Sequence, residues 1–304
     1  MKKQGTCLAA LLGALCLFPQ GALAEETVSA TMKPVVVTAT KTEHSLGETT
    51  ADVSVVTREQ IEKMPANNVL DVMRTMPGVT VDSARSFYGT STQNKVIIRG
   101  MGGDDVNGRV LVLMDGLPVM TAGNNIFNWD TISLDTVERI EVVRGPASAL
   151  YGSSAMGGVI NIVTRKQREE GIRTDLQAAY GSYNTLQTEL SNRIRKGRFT
   201  SVVTGSYNRT DGHRADMGFE QYGGYAKLGY ELSRAWTLSG DVNLTHFNAS
   251  NPGEVTAPLI DNDSRITRGR ASAALANRYD RTSGALSLFY NWGRHKIDDG
   301  YAAG

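Results

Sequence analysis

The residues of this 304-residue chain best able to do chemistry are four histidines and several glycine-rich stretches. His44, His213, His246 and His295 are scattered, with no H-x-x-x-H and no HExxH pair, so their spacing builds no metal centre. Each reads as a wet or interfacial residue. "GDDVNGRV" at 103–110 has the G-x-x-x-x-G spacing of a phosphate loop, but Arg109 and Val110 stand where lysine and Ser/Thr would hold phosphate and Mg²⁺. "GMGGDD" at 100–105 departs from the dinucleotide fingerprint at Asp105. The densest run, "RGPASALYGSSAMGGVINIV" at 144–163, has no lysine and no catalytic group. Its pattern is structural: a strand end, Pro146 opening a short helix "ASALY", Gly152 as a left-handed stop, and Gly157 and Gly158 turning the backbone into a buried strand. The sequence asks for no cofactor and offers no catalytic cluster, so it is not read as an enzyme.

The elements around these stretches form two regions. From Ala51 to Thr164 the chain reads as mixed α/β. "ADVSVVT" is strand-like, and Thr57 with Gln60 makes a capping box opening a helix that stops by Pro65. Asn67 or Asn68 caps a second helix, whose Val69, Leu70, Val72, Met73 and Met76 form an apolar stripe ended by Pro77-Gly78. Short strands are expected at 79–82, 95–99, 109–114, 139–143 and 159–164, with Asp115-Gly116 as a hairpin turn.

From about Gly171 the period becomes two. In "WTLSGDVNLTHF" at 236–247, Trp236, Leu238, Val242 and Leu244 alternate with Thr237, Ser239, Asp241 and Asn243, and about seven such segments fit before Gly304. Alternation alone also permits a soluble antiparallel sheet with one wet face. Link lengths separate the two cases: 195–198, 233–235 and 280–283 are short, whereas 209–222 and 248–265 are long. Short turns on one side and long loops on the other, with aromatics near segment ends, are the asymmetry of outer-membrane barrels.

The opening residues fix the compartment. Lys2 and Lys3, an apolar run from Cys7 to Phe18 and then Ala22-Leu23-Ala24 read as a signal peptide at 1–24, with the mature chain starting at Glu25. Cys7 and Cys16 leave with it, so no disulfide is expected. The loss of Lys2 and Lys3 takes 32 basic residues to 30 against 31 acidic ones, which gives no basic surface for nucleic acid. No later segment reaches the roughly 18 apolar residues of a membrane helix, which leaves a β-barrel as the way through lipid.

"KPVVVTATKTE" (33–43), "VLDVMRTMPGVTV" (69–81), "VIIRG" (96–100), "VLVLMDGLPV" (110–119) and "VERIEVVRGPASALYGSSAMGGVINIVTR" (137–165), in that order, resemble the TonB-dependent outer-membrane receptors. The resemblance implies an α/β plug domain at 51–166, after a 25–50 segment carrying the TonB box, followed by antiparallel strands of an outer-membrane β-barrel from 171 to 304. The family's barrel has 22 strands, so this chain is expected to hold only part of it. The function implied is energy-coupled uptake of a large scarce solute, ferric siderophore or haem first and cobalamin next. The alternative is a non-transporting surface or adhesion protein, or an inactive truncated receptor.

The resemblance also assigns residues. Pro34, Val35, Val36, Val37, Thr38, Ala39 and Thr40 correspond to the TonB box, an extended β-branched segment suited to adding to a partner's sheet edge. Plug loops 83–94 and 120–129 are expected to face outward and to offer Arg85, Phe87, Tyr88, Asn124, Asn125, Phe127 and Trp129 to ligand. Arg99, Arg139 and Arg144 are expected to pair with lumen carboxylates such as Asp175, Glu189, Glu231 or Asp241. In a haem receptor His213, His246 or His295 would ligate iron.

Overall fold

The computed structural model describes residues 35–36, 44–45, 52–82, 95–101, 110–119, 127 and 129–302. The leader 1–24, the box residues Pro34, Val37, Thr38, Ala39 and Thr40, and the loop residues Arg85, Phe87, Tyr88, Asn124 and Asn125 lie outside the described residues.

Two short strands, β1 (Val35–Val36) and β2 (His44–Ser45), pair antiparallel. β3 (Asp52–Thr57) runs into α1 (Arg58–Lys63), where the Thr57 amide donates to Gln60 Oε1 at 2.9 Å and closes the expected capping box. Asn68 caps α2 (Val69–Arg74) by accepting from the Asp71 amide at 3.0 Å. The apolar stripe of α2, Val69, Leu70, Val72 and Met73, is fully in the core.

β4 (Val79–Asp82) and β5 (Lys95–Ile98) form an antiparallel pair beside the main plug sheet. That sheet also uses β6 (Val110–Met114), β7 (Leu117–Pro118), β8 (Val137–Arg144) and β9 (Gly158–Thr164), in the order β3-β8-β9-β6-β7. β6 and β9 are parallel, and the other neighbours are antiparallel. The continuous apolar run of β6 follows, because all five of its residues are buried. Between β8 and β9 sits α3 (Ser148–Tyr151), stopped by Gly152 at φ 82°. Of the glycines expected to turn the chain, Gly158 carries the constraint: at φ 151° a Cβ there would lie 2.4 Å from the Val143 carbonyl oxygen.

The second layer is an antiparallel wall of seven long strands: β10 (Gly171–Gly181), β11 (Thr185–Lys196), β12 (Phe199–Thr210), β13 (Phe219–Glu231), β14 (Trp236–Ser250), β16 (Ala257–Arg278) and β17 (Ser283–Ala302). The small β15 (Gly253–Glu254) pairs with the start of β16. The expected long link at 248–265 is mostly strand, because β14 and β16 stay paired as far as Ser250 and Asp263. Asn248, Ser250, Asp261, Asn262, Asp263 and Ser264 put polar groups on both faces there, so the sequence carries no alternation to mark a strand.

Register fixes two faces. Toward the plug point Gln221, Tyr225, Thr245 and Arg270, all buried. Away from it point Val203, Leu228, Leu238, Val242, Leu244, Leu286, Leu288 and Tyr290, all more than two-fifths exposed. A contiguous apolar face of this extent is unsuited to water and matches the lipid-facing band of a membrane barrel. No helix among the described residues is long and apolar enough to cross a membrane.

Candidate functional site

The groups that link plug to wall gather at the turn between β6 and β7. Asp115 occupies the first turn position at φ 49°, a left-handed conformation that aspartate tolerates, and the turn aims its carboxylate at the wall. Thr164, at the end of β9, donates to it through its amide at 2.9 Å and its hydroxyl at 2.6 Å. From wall strand β13, Lys227 Nζ donates to Asp115 Oδ2 at 2.6 Å and to Thr164 Oγ1 at 2.7 Å, while the Tyr225 hydroxyl donates to the same Oγ1 at 3.1 Å. Burial works against the charged carboxyl of Asp115, but the Lys227 ammonium and the hydrogen bonds from Lys227 and Thr164 outweigh it and hold the group below the usual carboxylate range.

Further contacts extend this seam across the wall. Arg270 of β16 donates to Asp241 Oδ2 at 2.6 Å and to the Met114 carbonyl at 3.3 Å. Asn291 of β17 donates to the Pro118 carbonyl at 2.9 Å, and Asn243 to the Thr131 carbonyl at 3.3 Å. Ser133 donates to Glu189 Oε2, whose other oxygen has no partner among the described residues. That oxygen lies beside a cavity of about 500 Å³ between plug and wall, lined by Asn67, Asn68, Ser133, Gln187, Glu189 and Asn243 among others. A polar space of this size has room for many waters and for part of a solute. Among the described residues the seam therefore consists of hydrogen bonds and one ion pair beside a polar cavity, and no cluster of buried apolar residues spans the two layers.

A family model described as the TonB-dependent receptor plug domain matches residues 45–159. The chain belongs to the TonB-dependent receptors. It is 33% identical over 288 residues to the vitamin B12 transporter BtuB of Photobacterium profundum, a match covering 91% of this chain and 45% of that one. It is also 33% identical over 205 residues to the ferric enterobactin receptor PirA of Pseudomonas aeruginosa, covering 62% of this chain and 26% of that one. A crystal structure of the siderophore receptor PirA from Pseudomonas aeruginosa superposes with a TM-score of 0.60 at 28% identity, covering 81% of this chain and 41% of that one. The chain thus spans under half the length of these relatives. The relatives are transporters and receptors of the outer membrane rather than enzymes, and the plug followed by antiparallel barrel strands is the architecture expected from the sequence.

Within this receptor the expected arginine pairings are corrected. Arg144 grips Asp52 through Nε at 3.1 Å and Nη2 at 2.5 Å, and its Nη1 donates to Ser54 Oγ at 2.6 Å and the Pro77 carbonyl at 2.8 Å. Arg99 also pairs with Asp52, and Arg139 with Glu141 at 2.8 Å. All three partners belong to the plug. The cause is register, since β3 and β8 place Asp52 directly opposite Arg144. The proposed wall acceptors have other partners: Asp175 takes Arg193, Glu231 takes Arg195 and Asp241 takes Arg270. Among the described residues, Glu189 is the one of the four that bonds the plug, accepting from Ser133.

Trp129 is buried in the plug core, with Phe127 packed edge-on at 4.8 Å, so its indole supports the core rather than a ligand surface. His246 points outward beside Thr267, whereas His295 lies opposite Ile266 on the inward face. Opposite faces of one sheet cannot supply two ligands to a single iron. His213, in the loop after β12, sits with its ring 6.2 Å from Tyr183. The residues that sequence reasoning missed are Asp115 and Lys227. Asp115 was legible only as a turn, and the sole signal for Lys227 was a charge on the plug-facing phase of β13.

Proposed function

We propose that this chain forms the plug and part of the wall of a receptor that takes up a large scarce solute, driven by force delivered through TonB. Ferric siderophore or haem is the first choice of cargo and cobalamin the next. The observation that carries this reading is the polar seam at Asp115, Thr164 and Lys227. A plug held by a few hydrogen bonds around a polar cavity stays shut at rest and yields to a directed pull.

The TonB box supports the same reading. Among the described residues its Val35–Val36 pairs with His44–Ser45, and a two-residue pairing of this kind adds little stability by itself. Exchange of that local partner for a strand edge on TonB is therefore cheap in free energy. Relatives named for vitamin B12 and for ferric enterobactin match at equal identity, and the amides and aromatics of plug loops 83–94 and 120–129 suit an amphipathic or planar ligand.

The test uses the full-length receptor with residues 34–40 deleted. Binding and uptake of a ferric siderophore, haem and cobalamin are measured on whole cells. Uptake should vanish while surface binding of one class persists. Unchanged uptake, or no binding of any class by the intact receptor, overturns the reading.

A further inference from the structure

Asp52 is the first residue of β3, the edge strand in the order β3-β8-β9-β6-β7. Tension on residues 34–40 therefore reaches it before any other residue of that sheet. Its Oδ1 accepts from Arg144 Nη2 at 2.5 Å, and its Oδ2 accepts from Arg144 Nε at 3.1 Å and from Arg99. A guanidinium fork of this kind fixes direction as well as distance.

Both arginines tie Asp52 to parts of the plug outside its own sheet. Arg144 also donates to the Pro77 carbonyl at 2.8 Å, and its Cδ lies 3.2 Å from the point that a Cβ on Gly78 would occupy, so its side chain packs on the turn between α2 and β4. The Arg99 amide donates to the Gly78 carbonyl at 3.0 Å. Arg99 and Gly100, at φ 50° and 76°, are the central residues of a tight turn in which Ile98 and Met101 exchange both backbone bonds at 2.9 Å. Two-residue turns with both φ values positive favour Asn-Gly, so arginine bears a backbone cost at the first position. The ion pair with Asp52 offsets that cost, and the turn after β5 is thus supported by a residue of β3. β4 and β5 pair with each other outside the main sheet, and the chain between them is 83–94, which holds Arg85, Phe87 and Tyr88.

We propose that Asp52 is a positioning residue that couples the N-terminal segment to the β4–β5 pair. A pull that draws Asp52 off Arg99 and Arg144 frees that pair, and with it the segment 83–94 that it brackets, before β6 and β9 are disturbed. The inference rests on the proposed delivery of force through residues 34–40. The topology favours this order of release. β3 has β8 as its one neighbour in the sheet and can peel from the edge, whereas β9 is held on both sides by β8 and β6. The turns at Pro77–Gly78 and Arg99–Gly100 meet at this one carboxylate, so both lose a support in a single step.

The test applies force with optical tweezers to the full-length receptor in lipid nanodiscs, through a DNA handle ligated to the mature N-terminus. D52A should lower the first rupture force to about half or less. K63A, which breaks an exposed ion pair on α1 away from this contact, should leave it unchanged. Hydrogen exchange without load gives the second readout. In D52A the amides of 79–82 and 95–101 should exchange about fivefold or more faster than in the wild type, while those of 110–114 and 158–164 keep their rates. An unchanged rupture force overturns the proposal. So does equal acceleration across the whole plug, which would mark a general loss of stability. Neither readout uses TonB or ligand, so a failure of the proposed uptake shows in the deletion of 34–40 and a failure of the Asp52 contact shows here.

Discussion

Lys227 Nζ, on the wall, lies 2.6 Å from Asp115 Oδ2, on the plug, and both also bond to Thr164 Oγ1. This pair links residues 112 positions apart and joins the two layers at a single turn. A double-mutant cycle on D115A and K227A should give a coupling free energy between about 0.5 and 3 kcal/mol, the range for residues sharing one polar network. Thermal unfolding of the plug within the full-length receptor supplies the four values. Additive effects would show that the pair contributes nothing jointly.

The same pair sets a pH dependence. The folded-state carboxyl of Asp115 lies below its usual range, so its contribution is complete above the unfolded value of about 3.9 and disappears as pH falls through the folded one. Asp52, lowered chiefly by its hydrogen bond from Arg144, follows the same sign. The share of plug retention that Asp115 and Asp52 supply should therefore be complete at about pH 5 and above and decline only below about 4. Protease accessibility of the plug across that range checks this, and D115N should remove part of the acid limb. A midpoint near neutrality would assign control to another group.

Two glycines should respond differently to alanine. Gly158→Ala drives a Cβ to 2.4 Å from the Val143 carbonyl, where the backbone cannot give way, so a loss of roughly 3 kcal/mol is expected. Gly116→Ala meets open space and bears only the cost of its positive φ, about 1 kcal/mol. Denaturant midpoints of the two variants should fall in that order, and the reverse order would refute the packing account.

The box should be sensitive to loss of a backbone donor. Val36→Pro removes one amide from β1 and should abolish capture by TonB while leaving equilibrium ligand binding intact. Co-purification with TonB reads the first property, and ligand titration the second. Undiminished capture would place the contact elsewhere.

The helices and the wall were legible in the sequence for distinct reasons. Caps at Thr57 and Asn68 and the stripe on α2 are local signals, and strict alternation in β14 assigns each residue to a face without knowledge of its neighbours. Ion pairs were not legible in this way. Alternation shows that Lys227 faces the plug but not at what height, and the height follows from the stagger of β12, β13 and β14. Arg144 was misassigned for a related reason. Its carboxylate partner lies 92 residues earlier, on a strand whose neighbour the sequence did not reveal.

The pairing of β3 with β8 also dictates an order of events in time. A chain crossing a membrane with its N-terminus leading delivers β3 first, then α1 and α2, then β6. β3 does not meet its sheet neighbour until β8 arrives, and β6, paired by then with the two-residue β7, meets β9 only later, because the order is β3-β8-β9-β6-β7. Loop closure over such a distance is slow, and early strands with unfilled edges are open to wrong partners. The sheet of the plug therefore assembles as one unit only once the chain has passed Thr164.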